Sequence, residues 1–186
     1  MKIVSLFAGA GGLDTGFEKA GFDVTWANEY DKTIWDTFEE NFPHTFLDRR
    51  SIAKIPSNEI PDADGIIGGP PCQSWSEAGA LRGIDDARGQ LFLEYARVLR
   101  DKQPMFFLAE NVAGMLFDRH KDAVDHILET FDEVGYEVSY KLLNAKNFGV
   151  PQDRKRVIFV GLHKSLNQKF EFPDEVGSPQ IGRAHV

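Results

Sequence analysis

The sequence predicts an α/β fold: a mostly parallel sheet with helices on both faces and one antiparallel strand at its edge. Three observations carry this. β-rich runs alternate with segments of helical apolar spacing from Lys2 to Val134, the pattern of strand–helix–strand units. A glycine-rich turn, Gly9 to Gly12, follows the first run and leads straight into the first helix. The last two runs, Tyr136 to Leu143 and Val157 to Leu162, are joined by too few residues for a crossover helix, so they pair antiparallel.

In chain order, Lys2 to Phe7 is the first strand, and Leu13, Phe17 and Ala20 then fall at helical spacing up to Gly21. Glycines at a helix N-terminus allow close backbone approach and leave free amides for a charged ligand. No Gly-Lys-Ser/Thr ending follows, so this is not a phosphate-binding P-loop. Asp14 stands where a dinucleotide fingerprint has its third glycine, a residue suited to a cationic or amine-bearing ligand and unsuited to a pyrophosphate. Asp23 to Glu29 is the second strand. Glu29 at its end is placed to accept hydrogen bonds from both hydroxyls of a ribose. A helix over 31–41 with Ile34, Trp35 and Phe38 inward, and a short strand at Thr45 to Leu47, come next; Ser51-Ile52 and Pro56 to Pro61 read as loop.

Asp64 to Ile67 is the fourth strand, stopped by Gly68-Gly69-Pro70-Pro71 just before Cys72, the sole cysteine. Two prolines stiffen the backbone and remove two amide donors. A lone cysteine is most often a small buried hydrophobe; the Pro-Pro lead-in and polar sequel favour a placed nucleophile. Residues 73–88 form a long polar loop, of the kind that is usually functional. A helix from Gln90 to Asp101 buries Leu91, Phe92, Tyr95, Val98 and Leu99. Met105 to Ala109 is the fifth strand, with Glu110-Asn111 directly after it, and a further helix spans 120–134 with Gly135 as its cap. Ligands of such sheets sit at the carboxyl ends of the strands, so the glycine turn, Glu29, Cys72 and Glu110 are expected on one face. Residues 1–165 read as one domain. Residues 166–186 read as a tail, a truncation or cloning scar.

Composition bounds the partners. The 186 residues carry a formal net charge of −8, which by itself argues against nucleic acid. The charge is uneven, however: acidic residues crowd 28–40 and 122–137, whereas Arg154-Lys155-Arg156 is a compact basic cluster. No apolar run approaches the roughly 20 residues needed to span a bilayer, so no membrane partner is expected. One cysteine excludes a disulfide framework and a Cys-rich zinc site. The five histidines lack ligand spacing, so no metal is expected. A reducing cytosol is the simplest setting.

Four ordered motifs together resemble the catalytic half of a DNA (cytosine-5) methyltransferase. They are Phe7-Ala8-Gly9-Ala10-Gly11-Gly12, Pro70-Pro71-Cys72-Gln73, Glu110-Asn111-Val112 and Gln152-Asp153-Arg154-Lys155-Arg156. The run from Gly68 through Gly89 is most similar to bacterial modification methylases of the HaeIII kind. The resemblance implies a Rossmann-like S-adenosylmethionine-dependent methyltransferase fold, a bacterial cytoplasmic enzyme of restriction–modification, and double-stranded DNA as substrate. Cys72 would add to C6 of a flipped-out cytosine, Glu110 would supply the acid at N3, and Asn111 would hold the geometry. Arg154 and Arg156 would contact the flipped base and its phosphates. S-adenosyl-L-methionine would lie against Phe7, Gly9, Gly11, Gly12, Glu29, Ser51, Ile52, Pro70 and Leu91. Pro71, Gln73, Ser76 and Arg88 would touch the DNA, the last three on a loop closing over it.

Two departures stand out. Ser51 replaces the aspartate usual before the isoleucine at the adenine edge, and a hydroxyl accepts an amine's hydrogen bond less strongly than a carboxylate. The family's target-recognition region and final motifs are not in this chain, which therefore reads as a fragment or as one half of a two-chain enzyme whose second chain supplies them. Two other readings compete. One is a truncated, non-catalytic domain. The other, drawn from the glycine turn and Glu29, is a nicotinamide-dependent oxidoreductase, against which Asp14 counts.

Overall fold

The computed structural model describes residues 1–71 and 89–177, with only the backbone of Gly89 and Gln90. Seven strands form one sheet: β1 (Lys2–Leu6), β2 (Asp23–Asn28), β3 (Phe46–Asp48), β4 (Gly65–Gly68), β5 (Phe106–Val112), β6 (Tyr136–Asn144) and β7 (Lys155–His163). Their order is β3-β2-β1-β4-β5-β7-β6. The first five run parallel, and β7 is antiparallel to both neighbours, β5 and β6. The edge pairing is therefore antiparallel, as the short connection requires. The reversed strand itself is β7, one place in from the edge.

Both faces of the central strands are covered, and so they read as unbroken apolar runs. Successive residues of β1 point to opposite faces. Ile3 packs with Val24, Ile67 and the side chains Leu13 and Phe17 of α1 (Gly12–Lys19). On the same side α2 (Trp35–Asn41) sets Phe38 and Phe42 against Ala27 and Leu47. Val4 and Leu6 face the larger core, where α3 (Gly89–Lys102) and α4 (Lys121–Val134) bury Phe92, Tyr95, Val98, Leu99, Ile127 and Phe131. Tyr95, wholly buried, directs its hydroxyl to the Leu108 carbonyl at 3.1 Å.

Two sequence expectations are corrected. The second helix starts at Trp35, because residues before it turn around Asp31, whose carboxylate accepts from the Thr33 amide and hydroxyl. Ile34 and Trp35 are only half-buried; the Trp35 indole donates to the Glu29 carbonyl at 2.9 Å. The fifth strand does not end before Glu110: it continues to Val112, because Glu110, Asn111 and Val112 pair with Ile158, Val157 and Arg156 of β7. Beyond β7, residues 167–177 return alongside β6. The Ser139 hydroxyl donates to the Phe170 carbonyl at 2.7 Å, the Asn147 amide side chain to Glu175 at 2.8 Å, and the Val176 amide to the Asn147 carbonyl.

Candidate active site

The site lies at the carboxyl ends of β1, β4 and β5, where β7 delivers its first residues. A cleft of about 650 Å³ is lined there by Phe7, Gly9, Gly12, Asp14, Gly69, Glu110, Arg154 and Arg156, with Leu143, Ala145, Phe148 and Ile158 on the β6–β7 side. Parallel neighbours end at one level, so residues far apart in sequence meet.

The glycine turn is built by conformation. Phe7, Gly9 and Gly11 all have positive φ (55°, 57° and 82°), the left-handed region that a side chain disfavours. Gly11 caps α1 with no side-chain bond, leaving the helix amides of the first turn uncapped by a side chain. Positions 9 and 12 face open space, whereas a Cβ at Gly11 would sit 2.0 Å from the Phe42 ring. Glu29, just past β2, is locked by two backbone donors: the Gly9 amide reaches one oxygen at 2.8 Å and the Asp31 amide the other at 2.7 Å. Each oxygen keeps a lone pair for a ligand hydroxyl.

On the opposite wall Glu110 forms the centre of a charged cluster. Arg154 Nη2 lies 3.3 Å and Arg156 Nε 2.9 Å from the same oxygen, Oε1. The other oxygen lies 3.5 Å from where a Cβ on Gly69 would stand. Asn111 donates from its side-chain amide to the Pro70 carbonyl at 3.0 Å, while its oxygen accepts the Val112 amide. Asn111 thus ties the end of β5 to the Pro70-Pro71 turn, with Glu110 and Gly69 on one cleft wall. That turn rests on an apolar hollow of about 10 Å³ lined by Phe92, Ala109, Met115, Ile127, Phe131 and Phe159, which seats the prolines with no polar demand.

Not every expected residue joins this cleft. Ile52 is 2% exposed and belongs to the main core, with Phe7 and Leu91 packed against that same cluster. Ser51, half-buried, precedes a turn of 3-10 helix at Ile52–Lys54, and Pro70 is buried. Of these residues only Phe7 lines the cleft as well. Cys72, Gln73, Ser76, Arg88 and the loop 73–88 lie outside the described residues, as do residues 178–186. Sequence reading missed Asn28, 2% exposed, whose side-chain amide donates to the Asp48 and Arg50 carbonyls at 2.9 and 2.8 Å and so fixes the loop ahead of Ser51. A polar residue inside an apolar strand was the available signal.

Asp14 borders the cleft but exposes no surface to solvent. It is wholly buried under α1, and neither carboxylate oxygen has a hydrogen-bond partner among the described residues. Burial pushes its carboxyl above the ordinary range; the Ser5 hydroxyl beside it opposes this without being aligned for a bond. Its folded pKa is therefore higher than its unfolded value near 3.9. The charged form costs stability at neutral pH, and acid relieves that cost. Asp14→Asn is expected to stabilise the protein by about 1–3 kcal/mol at pH 7. In urea melts the gap between the two proteins should narrow on acidification and close below about pH 4. A gap that widens in acid would refute the assignment.

Residues 1–182 match the profile of the family described as C-5 cytosine-specific DNA methylase. The chain is 63% identical over 93% of its length to the Type II methyltransferase M.NgoPII of Neisseria gonorrhoeae, and 61% identical over 93% to M.FnuDI of Fusobacterium nucleatum. It spans about half the length of these curated relatives, 51% and 50%. Among solved structures, a prophage-encoded E. coli protein described as a DNA modification methyltransferase superposes with a TM-score of 0.81 at 31% identity, covering 96% of this chain and 52% of that one. Spodoptera frugiperda DNMT2 shares the fold, with a TM-score of 0.78 at 24% identity over 96% of this chain and 57% of that one. The nicotinamide alternative has no place in this family.

Proposed function

The chain belongs to the C-5 cytosine-specific DNA methylase family, and from that premise we propose that it transfers a methyl group from S-adenosyl-L-methionine to C5 of a flipped-out cytosine in double-stranded DNA. The setting is restriction–modification, the role carried in the Type II names of its relatives. One observation supports the reading most. Glu110 and Gly69 line one cleft with Arg154, Arg156 and the open glycine turn, and Asn111 bonds the Pro70 carbonyl two residues before Cys72, the only cysteine.

Cytosine C5 is a weak nucleophile. In the proposed reaction the Cys72 thiolate forms a bond to C6, and the ring's electron pair moves to C5. A proton from the Glu110 carboxyl, or a hydrogen bond from it, at N3 stabilises the charge that develops on the ring. S-adenosyl-L-methionine, when bound, supplies the methyl group as an electrophile. The C5 proton then leaves to water, its electron pair re-forms the C5–C6 double bond as the Cys72–C6 bond breaks, the N3 proton returns to Glu110, and the thiolate is released. A stacked base hides C6, so the cytosine leaves the helix first. Arg154 and Arg156 hold it and its phosphates against Glu110.

The donor set fits an adenosyl sulfonium ligand. Glu29 is fixed for ribose hydroxyls, Gly9 and Gly12 leave room for close approach, and the glycine turn carries no phosphate-binding lysine. Ser51 and Ile52 serve the adenine edge, with Phe7 and Leu91 as apolar neighbours. A second reading is a half that turns over only when further chain is supplied in trans.

Trapping on duplex DNA containing 5-fluorocytosine tests both. The fluorine blocks loss of the C5 substituent, so the Cys72 adduct should accumulate in the presence of S-adenosyl-L-methionine and vanish in Cys72→Ser. An adduct that survives Cys72→Ser refutes the mechanism. An adduct that forms only after the remaining half of a relative is added selects the second reading.

A further inference from the structure

We infer that Arg97, on α3 and outside the cleft, is the positioning residue that sets the adenine edge of the cofactor site. The inference rests on the reading of Ser51 and Ile52 as that edge. Arg97 is largely buried, with 22% of its side chain exposed. Its guanidinium spends its donors on one short loop. Nη2 donates to the carbonyls of Ile52 at 3.2 Å and Ile55 at 3.1 Å, and Nη1 donates to the Ser57 hydroxyl. Nε is held by Glu94 at 2.7 Å, one turn back on the helix. Ser57 in turn donates to Asp101 at 2.6 Å.

The loop needs such a clamp. The segment carries two separate 3-10 turns, Ile52–Lys54 and Ser57–Glu59; the first is closed by the Lys54 amide on the Ser51 carbonyl and the Ile55 amide on the Ile52 carbonyl. One turn of 3-10 helix has little intrinsic stability. Ile52 and Ile55 anchor it to the core from below, and Asn28 holds it from the β2 side. Arg97 is what ties the backbone itself to α3. A planar guanidinium that bonds two carbonyls and a hydroxyl at once fixes orientation as well as distance, which a lysine ammonium does not. Ser51 is a single hydroxyl where a carboxylate is usual for the family. Its discrimination of an adenine amine therefore depends on placement more than on charge.

The test compares two ligands by calorimetry on the whole chain: S-adenosylhomocysteine and S-inosylhomocysteine, which has a carbonyl in place of the adenine amine. The wild type should prefer the adenosyl ligand. In Arg97→Met that preference should fall by roughly tenfold, the effect of one or two mispositioned hydrogen bonds, with inosyl binding little changed. Arg97→Lys should restore part of it. General destabilisation would weaken both ligands alike. Amide exchange without ligand should show Lys54 and Ile55 opening faster in Arg97→Met, with β1 and β4 unchanged. Should Arg97→Met fail to fold, Arg97→Lys carries the same comparison. An unchanged ligand ratio in a wild type that binds S-adenosylhomocysteine overturns this inference alone. A wild type that binds neither ligand overturns the cofactor reading and this inference with it.

Discussion

Glu110→Gln is expected to slow formation of the 5-fluorocytosine adduct by about 10²- to 10⁴-fold, the usual worth of a positioned general acid. Stability should barely move. The ion pairs it breaks, to Arg154 and Arg156, join side chains that are 28% exposed on the glutamate and 48% and 28% exposed on the arginines. Such pairs contribute about 0–1 kcal/mol. Glutamine keeps the shape beside Gly69 and can still accept from the guanidiniums, but it has no proton to give to N3. Rapid-quench trapping gives the rate, and S-adenosylhomocysteine affinity serves as the control. An unchanged rate with intact affinity would remove Glu110 from the chemistry.

Gly11→Ala should be the most damaging single change in the glycine turn, costing about 2–6 kcal/mol in urea melts. Two effects add. The position has φ 82°, where an L-residue is strained by about 1–3 kcal/mol. The new methyl would lie 2.0 Å from the Phe42 ring, which is buried and stacked on Phe38 at 4.7 Å, and overpacking of that kind costs about 1–3 kcal/mol. The contrast lies within the same turn. Gly9 has positive φ but open space, and Gly12 has open space without positive φ. Gly12→Ala should leave stability within about 0.5 kcal/mol of wild type, so any loss of ligand affinity there reports contact with the ligand. A Gly12→Ala variant as unstable as Gly11→Ala would refute the distinction.

The central strands were legible in the sequence because both their faces are buried and each run is bounded by a glycine, proline or charged turn. α3 and α4 were legible because Phe92, Tyr95, Val98 and Leu99, and Val124, Ile127 and Phe131, recur at helical spacing. The start of α2 was not, since Asp31 and Thr33 form a side-chain turn whose competition with the helix leaves no mark in apolar spacing. The apolar run of the fifth strand stops at Ala109, which puts Glu110 just past its end in the sequence reading. Pairing with β7, more than forty residues later, carries the strand onward, and a partner that distant is invisible to local pattern. Ile52 and Arg97 show the same limit from the other side. An isoleucine in a loop turned out to be core, and an arginine on a helix turned out to hold that loop.

By itself the sequence determined the kinds of chemistry at hand: a lone thiol behind two prolines, an acid beside an amide, a basic cluster, and a glycine turn ahead of a carboxylate. Residue type and short spacing suffice for that, because rigidity, acidity and backbone freedom are local properties. Only the tertiary structure decided which groups meet. It put both arginines on one oxygen of Glu110, bound Asn111 to the Pro70 carbonyl, locked Glu29 to Gly9, and buried Asp14 away from solvent. Those contacts join β1, β2, β4, β5 and β7. Their distances follow from strand order and register, which are fixed by the packing of the whole sheet and not by any one stretch of chain.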